Sequence, residues 1–380
     1  MKAKAWLKHL GILNAMLIFV PLSIAADHFV WHPYTFFFAC LGIVPLAAWM
    51  GRATEHLGDR VGEGAGGLLN ATFGNAAELI IAFAALRAGM YDIVKASITG
   101  SIIGNVLLVL GASMLAGGLR FSTQTFNRTA ATTSATLLAL GAISLTVPAT
   151  FHVSSSFAAR ANEDELALGI SIVLFITYIC SLIFSLKTHK HLYTRPADAP
   201  DIDEEDSLKM LPEGAEEAAA VAPEHDGWSV KRCVAVLFAT TIGTAWLSEI
   251  LVHHVQHAAE IVHMNPLFIG LIVIAIIGNA AEHSSAILMA LKDKMDLSIG
   301  IALGSSAQVA LFVAPVLVFL SRFFGPRPMD LNFSPFEVLA VVVSVIILSY
   351  VATDGECNWL EGVQLLAVYA ILGTAFYFAM

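Results

Sequence analysis

Charged side chains are scarce: Asp, Glu, Lys and Arg together make up 13% of the 380 residues, about half the ~25% of an ordinary soluble domain. A water-soluble globular chain of this length is therefore excluded. Cysteine is sparse too, with Cys40, Cys180, Cys233 and Cys357 isolated in apolar surroundings. Without a CxxC pair or metal-ligand spacing, neither a disulfide framework nor a zinc site is indicated, and the four read as lipid-facing or core residues. No Ser/His, HExxH or paired-Asp motif falls in an apolar stretch, which argues against an intramembrane enzyme. No cofactor motif is present. The formal net charge of -10 says little about the whole molecule, because the acids are unevenly distributed; no nucleic-acid partner is expected.

What the chain has in abundance is apolar: 57% of residues are hydrophobic and the mean hydropathy is +0.75. The reading is an all-α integral membrane protein whose main partner is the lipid bilayer. A hydrocarbon core of about 30 Å needs about 20 apolar residues per helix. Eleven windows meet that need, near 9–26, 33–51, 67–87, 92–118, 128–150, 165–186, 230–254, 266–290, 296–320, 335–352 and 359–379. The first follows Lys2, Lys4 and Lys8 and ends in SIAA, so it also looks like a signal peptide with a small-residue cleavage site. It is read as a retained helix with a cytoplasmic N-terminus. Threading the chain from there puts 15 of the 20 Lys and Arg residues inside and 5 outside, as the positive-inside rule requires. Shifting the count by one helix scrambles that bias.

The acids are concentrated between the sixth and seventh windows, in PADAPDIDEEDSLKMLPEGAEEAAAVAPEHD. This stretch reads as a cytoplasmic linker, either a solvated tether or a segment that attracts cations. LKMLPEGAEEAAAV within it has the pattern of a short amphipathic helix interrupted by Pro212 and Gly214.

Sliding the sequence by 204 positions lays GNAAE at 74–78 on GNAAE at 278–282, Asp92 on Asp296, Gly100 on Gly304 and Ser101 on Ser305. Identity clustered at small and polar positions, with Leu107 and Val109 also meeting Leu311 and Val313, marks an internal duplication. Five spans separate equivalent helices, and because five is odd the two copies are upside down relative to each other. Inverted repeats place a transporter's site at their interface near the midplane. The resulting division is an N-terminal helix at 1–30, a five-helix repeat at 31–186, the linker at 187–229 and an inverted repeat at 230–380.

Each GNAAE falls in mid-helix, where a glycine costs about 1 kcal/mol relative to alanine and an ionisable group costs at least a few kcal/mol. Asn75 and Glu78 share one helix face, as do Asn279 and Glu282, while Gly74 and Gly278 let the backbone deform and turn carbonyls toward a cavity. Two such faces together offer an all-oxygen shell for a hard cation, and Ca²⁺ accepts six to eight oxygens more readily than Mg²⁺ does. The plainer alternative is that each Asn and Glu only bonds helices together. Finding the motif at two equivalent positions favours a site.

Ser101 and Asn105, with Ser305, Ser306 and Gln308, add polar groups on the following helices and can tune the carboxylates. His283 stands beside Glu282 and can shuttle or modulate a proton. Glu55 and Glu249, in TEHL and SEIL, form a weaker repeat pair suited to ion or proton entry at opposite mouths. His253, His257 and Glu260 share a helix face and make a weak candidate for a transition metal.

GGLLNATFGNAAELI at 66–80, GNAAEHSSAI at 278–287, GSSAQVALF at 304–312 and CNWLEG at 357–362 resemble hallmarks of the calcium/proton exchanger (CAX) family of the calcium/cation antiporter superfamily. The resemblance runs along essentially the whole chain. It implies one extra helix followed by two inverted five-helix halves, with no resident cofactor. It makes Ca²⁺ and protons the transported partners, with Glu78 and Glu282 binding them alternately. Asn75, Asn279, Asn105 and Gln308 are then the polar neighbours of those glutamates, and the acidic linker a cytoplasmic helix. The chain shows no long N-terminal extension of the kind in some plant and fungal members, so a prokaryotic plasma membrane is expected. A sodium- or potassium-coupled exchanger of the same superfamily and, in a different class, a Ca²⁺ channel remain as alternatives. Selectivity among cations stays open, as does assembly into a homo-oligomer.

Overall fold

The computed structural model describes residues 11–29, 32–61, 63–155, 162–192 and 228–379. The centre of the acidic linker and its expected amphipathic helix lie outside the described residues. The chain is helical nearly throughout. α1 (Leu13–His28) is followed by α2 (His32–Val61), α3 (Glu63–Phe73), α4 (Ala76–Arg87), α5 (Tyr91–Gly118), α6 (Arg128–Ser154) and α7 (Glu163–Thr188). After the linker come α8 (Val230–Ile261), α9 (Pro266–Gly278), α10 (Ala280–Leu291), α11 (Met295–Phe324), α12 (Pro335–Asp354) and α13 (Trp359–Ala379).

Among the described residues eight helices are long and apolar enough to cross a membrane alone, and the pair α9 and α10 makes up to nine. The expected eleven is not reached by length and apolarity, for an identifiable reason. α3 and α4, at 11 and 12 residues, are each only about 17 Å long at 1.5 Å per residue, and α1 is a short helix. All eleven expected windows nevertheless coincide with helices, two of them with broken ones.

Local chemistry sets the helix ends. The Asn127 side chain accepts from Ala130 N at 3.0 Å to start α6, while Ser334 and Glu337 form a capping box with Pro335 in the first turn of α12. Gly355 then ends α12 at a φ of 78°, a left-handed conformation that favours glycine.

The two halves repeat the same series. Long α2 corresponds to α8, the broken pair α3 and α4 to α9 and α10, and α5 to α11. Helix α5 carries a π-helical turn at Gly104–Val109 and α11 one at Val309–Val313. Packing is reciprocal between the halves: α4 lies on the Ala314–Phe324 part of α11, and α10 on the Leu110–Gly118 part of α5. Helices α2 and α8 pair with one another, and α1 joins them. The residues first read as an ambiguous signal peptide are held there by a Phe19–Phe38 stack at 5.8 Å, a Trp49–Asn14 hydrogen bond of 2.9 Å and a His254–Asp27 contact of 2.8 Å. Burial ranks the helices: 83% of the α5 span is buried, against 22% for α7 and 17% for α13, which form the rim.

Polar staples close both faces of the bundle. On one face β1 (Gln124–Thr125) pairs antiparallel with β2 (Glu356–Cys357). Beside the strands Gln124 donates to Ala290 O at 2.8 Å and to Asp293 at 2.9 Å, and Asn127 N donates to Asp296. Burial and the nearby Glu361 and Asp293 carboxylates push the Cys357 thiol up to about 12, so it is no thiolate ligand at neutral pH. On the opposite face Lys95, which sequence alone places merely outside, is buried and donates to Asp330 at 2.6 Å and to Asn332 O at 2.9 Å. The linker end is anchored on the strand face, where Trp228 stacks on Trp49 and His56 with Arg232 4.2 Å above its ring.

Candidate functional site

Both GNAAE motifs sit where a helix breaks. Asn75 has φ -97° and ψ 19°, and Asn279 has φ -102° and ψ 5°, so each asparagine starts a new helix and its glutamate falls in the first turn. Carboxylates are favoured there by the helix dipole. The second break bends the chain by 61°. Gly74 and Gly278 do more than loosen the helix. A Cβ on Gly278 would stand 3.0 Å from Glu78 Cγ, and one on Gly74 would stand 3.7 Å from Glu282 Oε1. Gly278 thus admits Glu78 closely, whereas Gly74 is in ordinary contact range of Glu282 and is tight only against Asn70 O, 2.7 Å from where its Cβ would stand.

Around that crossing the structure gathers the polar residues of both halves. Glu78 Oε1 accepts from Ser101 Oγ and from Asn279 Nδ2. Asn279 Nδ2 also lies 3.2 Å from Ser101 Oγ and 3.0 Å from Ala275 O. A chain of donors runs from the other side. His283 Nε2 is 3.1 Å from Asn105 Oδ1, Asn105 Nδ2 donates to Ser305 Oγ at 3.0 Å, Ser305 Oγ donates to Asn75 Oδ1 at 3.1 Å, and Asn75 Nδ2 donates to Gln308 Oε1. Because Asn105 spends its amide on Ser305, its oxygen is left to accept, which assigns the His283 proton to Nε2. His283 is therefore tied to the opposite repeat, since neighbours on a helix do not face one another. Sequence reading set it beside Glu282 and missed Asn105.

After these bonds, Glu78 Oε2 and Glu282 Oε2 are buried with no hydrogen-bond partner. Unpaired buried carboxylate oxygens are costly, and here there are two, one from each repeat. Among the described residues no group of three or more His, Cys, Asp or Glu side chains is arranged for a metal. A cation at the crossing would therefore meet at most two carboxylates there among the described residues and would have to complete its shell from amide, hydroxyl or main-chain oxygens.

Other candidates fall elsewhere. Glu55 is exposed on α2, and Glu249 on α8 pairs with Arg87 at 3.1 Å on the face opposite the strands. Ser306 bonds back to Ala302 O within its own helix. His253, His257 and Glu260 do not form a metal set: His257 reaches Glu260 at 3.7 Å while His253 packs edge-on against the ring of His254. Four-residue spacing gave a shared face but not convergent nitrogen atoms.

Residues 15–187 and 233–378 match the family described as "Sodium/calcium exchanger protein". The chain belongs to this family. It is 45% identical over 370 residues to a Ca²⁺/H⁺ antiporter of Synechocystis, covering 97% of each chain. It is 44% identical over 361 residues to the Ca²⁺/H⁺ antiporter ChaA of Bacillus subtilis, covering 94% of this chain and 96% of that one. Among solved structures, native YfkE superposes with a TM-score of 0.77 at 39% identity, over 97% of this chain and 100% of that one. The H⁺/Ca²⁺ exchanger CAX shares the fold, with a TM-score of 0.65 at 12% identity, over 97% of this chain and 91% of that one.

Proposed function

We propose that this family member is a secondary antiporter that moves Ca²⁺ out of the cytoplasm in exchange for protons. The observation that carries the proposal is the pair of buried, unpartnered oxygens on Glu78 and Glu282. Ca²⁺ brings two positive charges and two ionised carboxylates cancel them; two protons do the same after the cation leaves. Either loaded form crosses a low-dielectric barrier, while the empty dianion is held back. Asn75 and Asn279 supply amide oxygens, and Ser101, Ser305, Asn105, Gln308 and His283 orient them. Glu55 and Glu249 serve the two mouths. The Lys and Arg bias makes the strand face and the N-terminus cytoplasmic, and the bacterial relatives favour a bacterial plasma membrane.

The test is ⁴⁵Ca²⁺ uptake into inverted membrane vesicles under an imposed pH gradient. Uptake should follow the size of the gradient, ignore Na⁺ and K⁺, and collapse with a protonophore. Dependence on Na⁺ or K⁺ with indifference to pH would instead assign a monovalent-coupled exchanger. Ca²⁺ flux without any proton movement would assign a channel.

A further inference from the structure

Aromatic and basic side chains converge at one corner of the strand face that the ion site does not use. Trp49, Arg52, His56 and Arg60 recur on α2 at intervals of three and four and so share one helix face. Trp228, buried just ahead of α8, lies against that face, its ring 5.6 Å from Trp49 and 4.9 Å from His56, stacked on both. Two guanidiniums rest on the stack: Arg52 Cζ is 5.7 Å from the Trp49 ring and Arg232 Cζ is 4.2 Å from the Trp228 ring. Lys231 is exposed beside Arg232.

Both arginines are exposed, and the Lys and Arg ion pairs among the described residues, Arg87–Glu249, Lys95–Asp330 and Arg322–Glu165, use neither of them. A guanidinium lying on an aromatic ring spends its face and keeps the N–H donors in its plane. Those donors form a fork that fits phosphate. Beyond the stack the surface is apolar: Val230, Val234, Phe238 and Ile242, about one turn apart on α8, are all exposed. They make a lipid-facing stripe that starts at the basic corner and runs toward the middle of the membrane.

We propose that this corner binds an anionic phospholipid of the strand-face leaflet, its phosphate held by Arg52, Arg232 and Lys231 and an acyl chain lying along the stripe from Val230 to Ile242. The two arginines rest on neighbouring rings, Trp49 and Trp228, so both forks serve one headgroup. Indole rings are favoured at headgroup level, which sets the stack at the depth of the phosphate. A soluble phosphate would meet the same donors but make no use of the stripe; a phospholipid uses both. Such a lipid joins α2 to α8 and stabilises the folded chain, because it binds only where the two helices are packed. None of the ion-site residues takes part, so the site stands apart from the antiport reading.

The test follows thermal unfolding of the purified full chain in neutral detergent as dioleoyl phosphatidylglycerol is added. The parent should unfold at rising temperature as the lipid is titrated in, while inorganic phosphate at the same concentration should leave it unmoved. The Arg52→Gln, Arg232→Gln double variant should need about tenfold more phosphatidylglycerol for half the shift, since each basic group near an anionic lipid adds to its binding. Without lipid it should unfold close to the parent, because both side chains are exposed. Arg128→Gln with Lys187→Gln removes as much charge from exposed positions on the same face and should keep the parent's response. No shift in the parent overturns the site. Equal loss of response in both double variants also overturns it, leaving only diffuse attraction by a basic face. A full shift with inorganic phosphate removes the lipid as occupant. If the Arg52 and Arg232 variant unfolds lower by the same amount with and without lipid, the acidic linker ahead of Trp228 is the partner of these arginines and the lipid site is overturned.

Discussion

Glu282→Gln should reduce pH-driven ⁴⁵Ca²⁺ uptake by at least about 100-fold, and Glu78→Gln should do the same. With one carboxylate left, Ca²⁺ at the site carries one uncompensated charge. A bare charge at mid-membrane costs about 3 kcal/mol even on the most lenient scale, and 1.4 kcal/mol is a factor of ten. Gln keeps the shape of Glu, and at each position it replaces a carboxylate whose Oε2 is buried without a partner. The variants should therefore fold at least as well as the parent. A melting temperature equal to or above that of the parent, together with lost transport, separates a site residue from a structural one. Near-parental uptake in either variant would remove that glutamate from the site.

Lys95→Met should have the largest effect on stability. It removes the ammonium that faces Asp330 at 2.6 Å and donates to Asn332 O at 2.9 Å, in a pair whose side chains are only 9% and 22% exposed. Removing one partner of a buried ion pair costs about 3–5 kcal/mol, because the other charge stays buried and unpaired. Partial exposure of Asp330 points to the lower end. Thermal unfolding in detergent reads the loss, and adding Asp330→Asn to Lys95→Met should recover most of it. A Lys95→Met protein as stable as the parent would mean that the pair contributes nothing.

These two predictions divide along what the sequence could and could not reveal. Glu78 and Glu282 are legible because polarity inside an apolar run is conspicuous, and because the chain writes it twice at a fixed offset. The neighbours Ser101, Asn105, Ser305 and Gln308 are legible for the same reason, and all of them converge at the crossing. Lys95 is not, because its partner is 235 residues away, in a loop that no local pattern links to α5. The bonding of His283 to Asn105 is hidden likewise, across 178 residues.

The helix pattern was legible as windows but not as spans. Hydropathy runs straight through Gly74–Asn75 and Gly278–Asn279, where the backbone turns, so α3 and α4 read as one helix. Nor does periodicity show that α3 rests on α2 while α9 rests on α5, since equivalent segments of an inverted repeat have the same pattern in either arrangement. The histidines at 253 and 257 mislead for the opposite reason: four-residue spacing is common on a helix, and among the described residues they and Glu260 belong to no group of three or more that could hold a metal.

The central claim is that Ca²⁺ and protons compete for the same two carboxylates. It is tested most directly by calorimetric titration of the purified protein with Ca²⁺ in buffers of different ionisation enthalpy, which counts the protons released per cation bound. The count should approach two at pH values where both carboxyls are protonated and fall toward zero as pH rises, with Ca²⁺ affinity increasing over the same range. The Glu78→Gln, Glu282→Gln double variant should release none. Ca²⁺ binding of unchanged affinity across pH 5 to 9, with no proton released by the parent, would contradict the account.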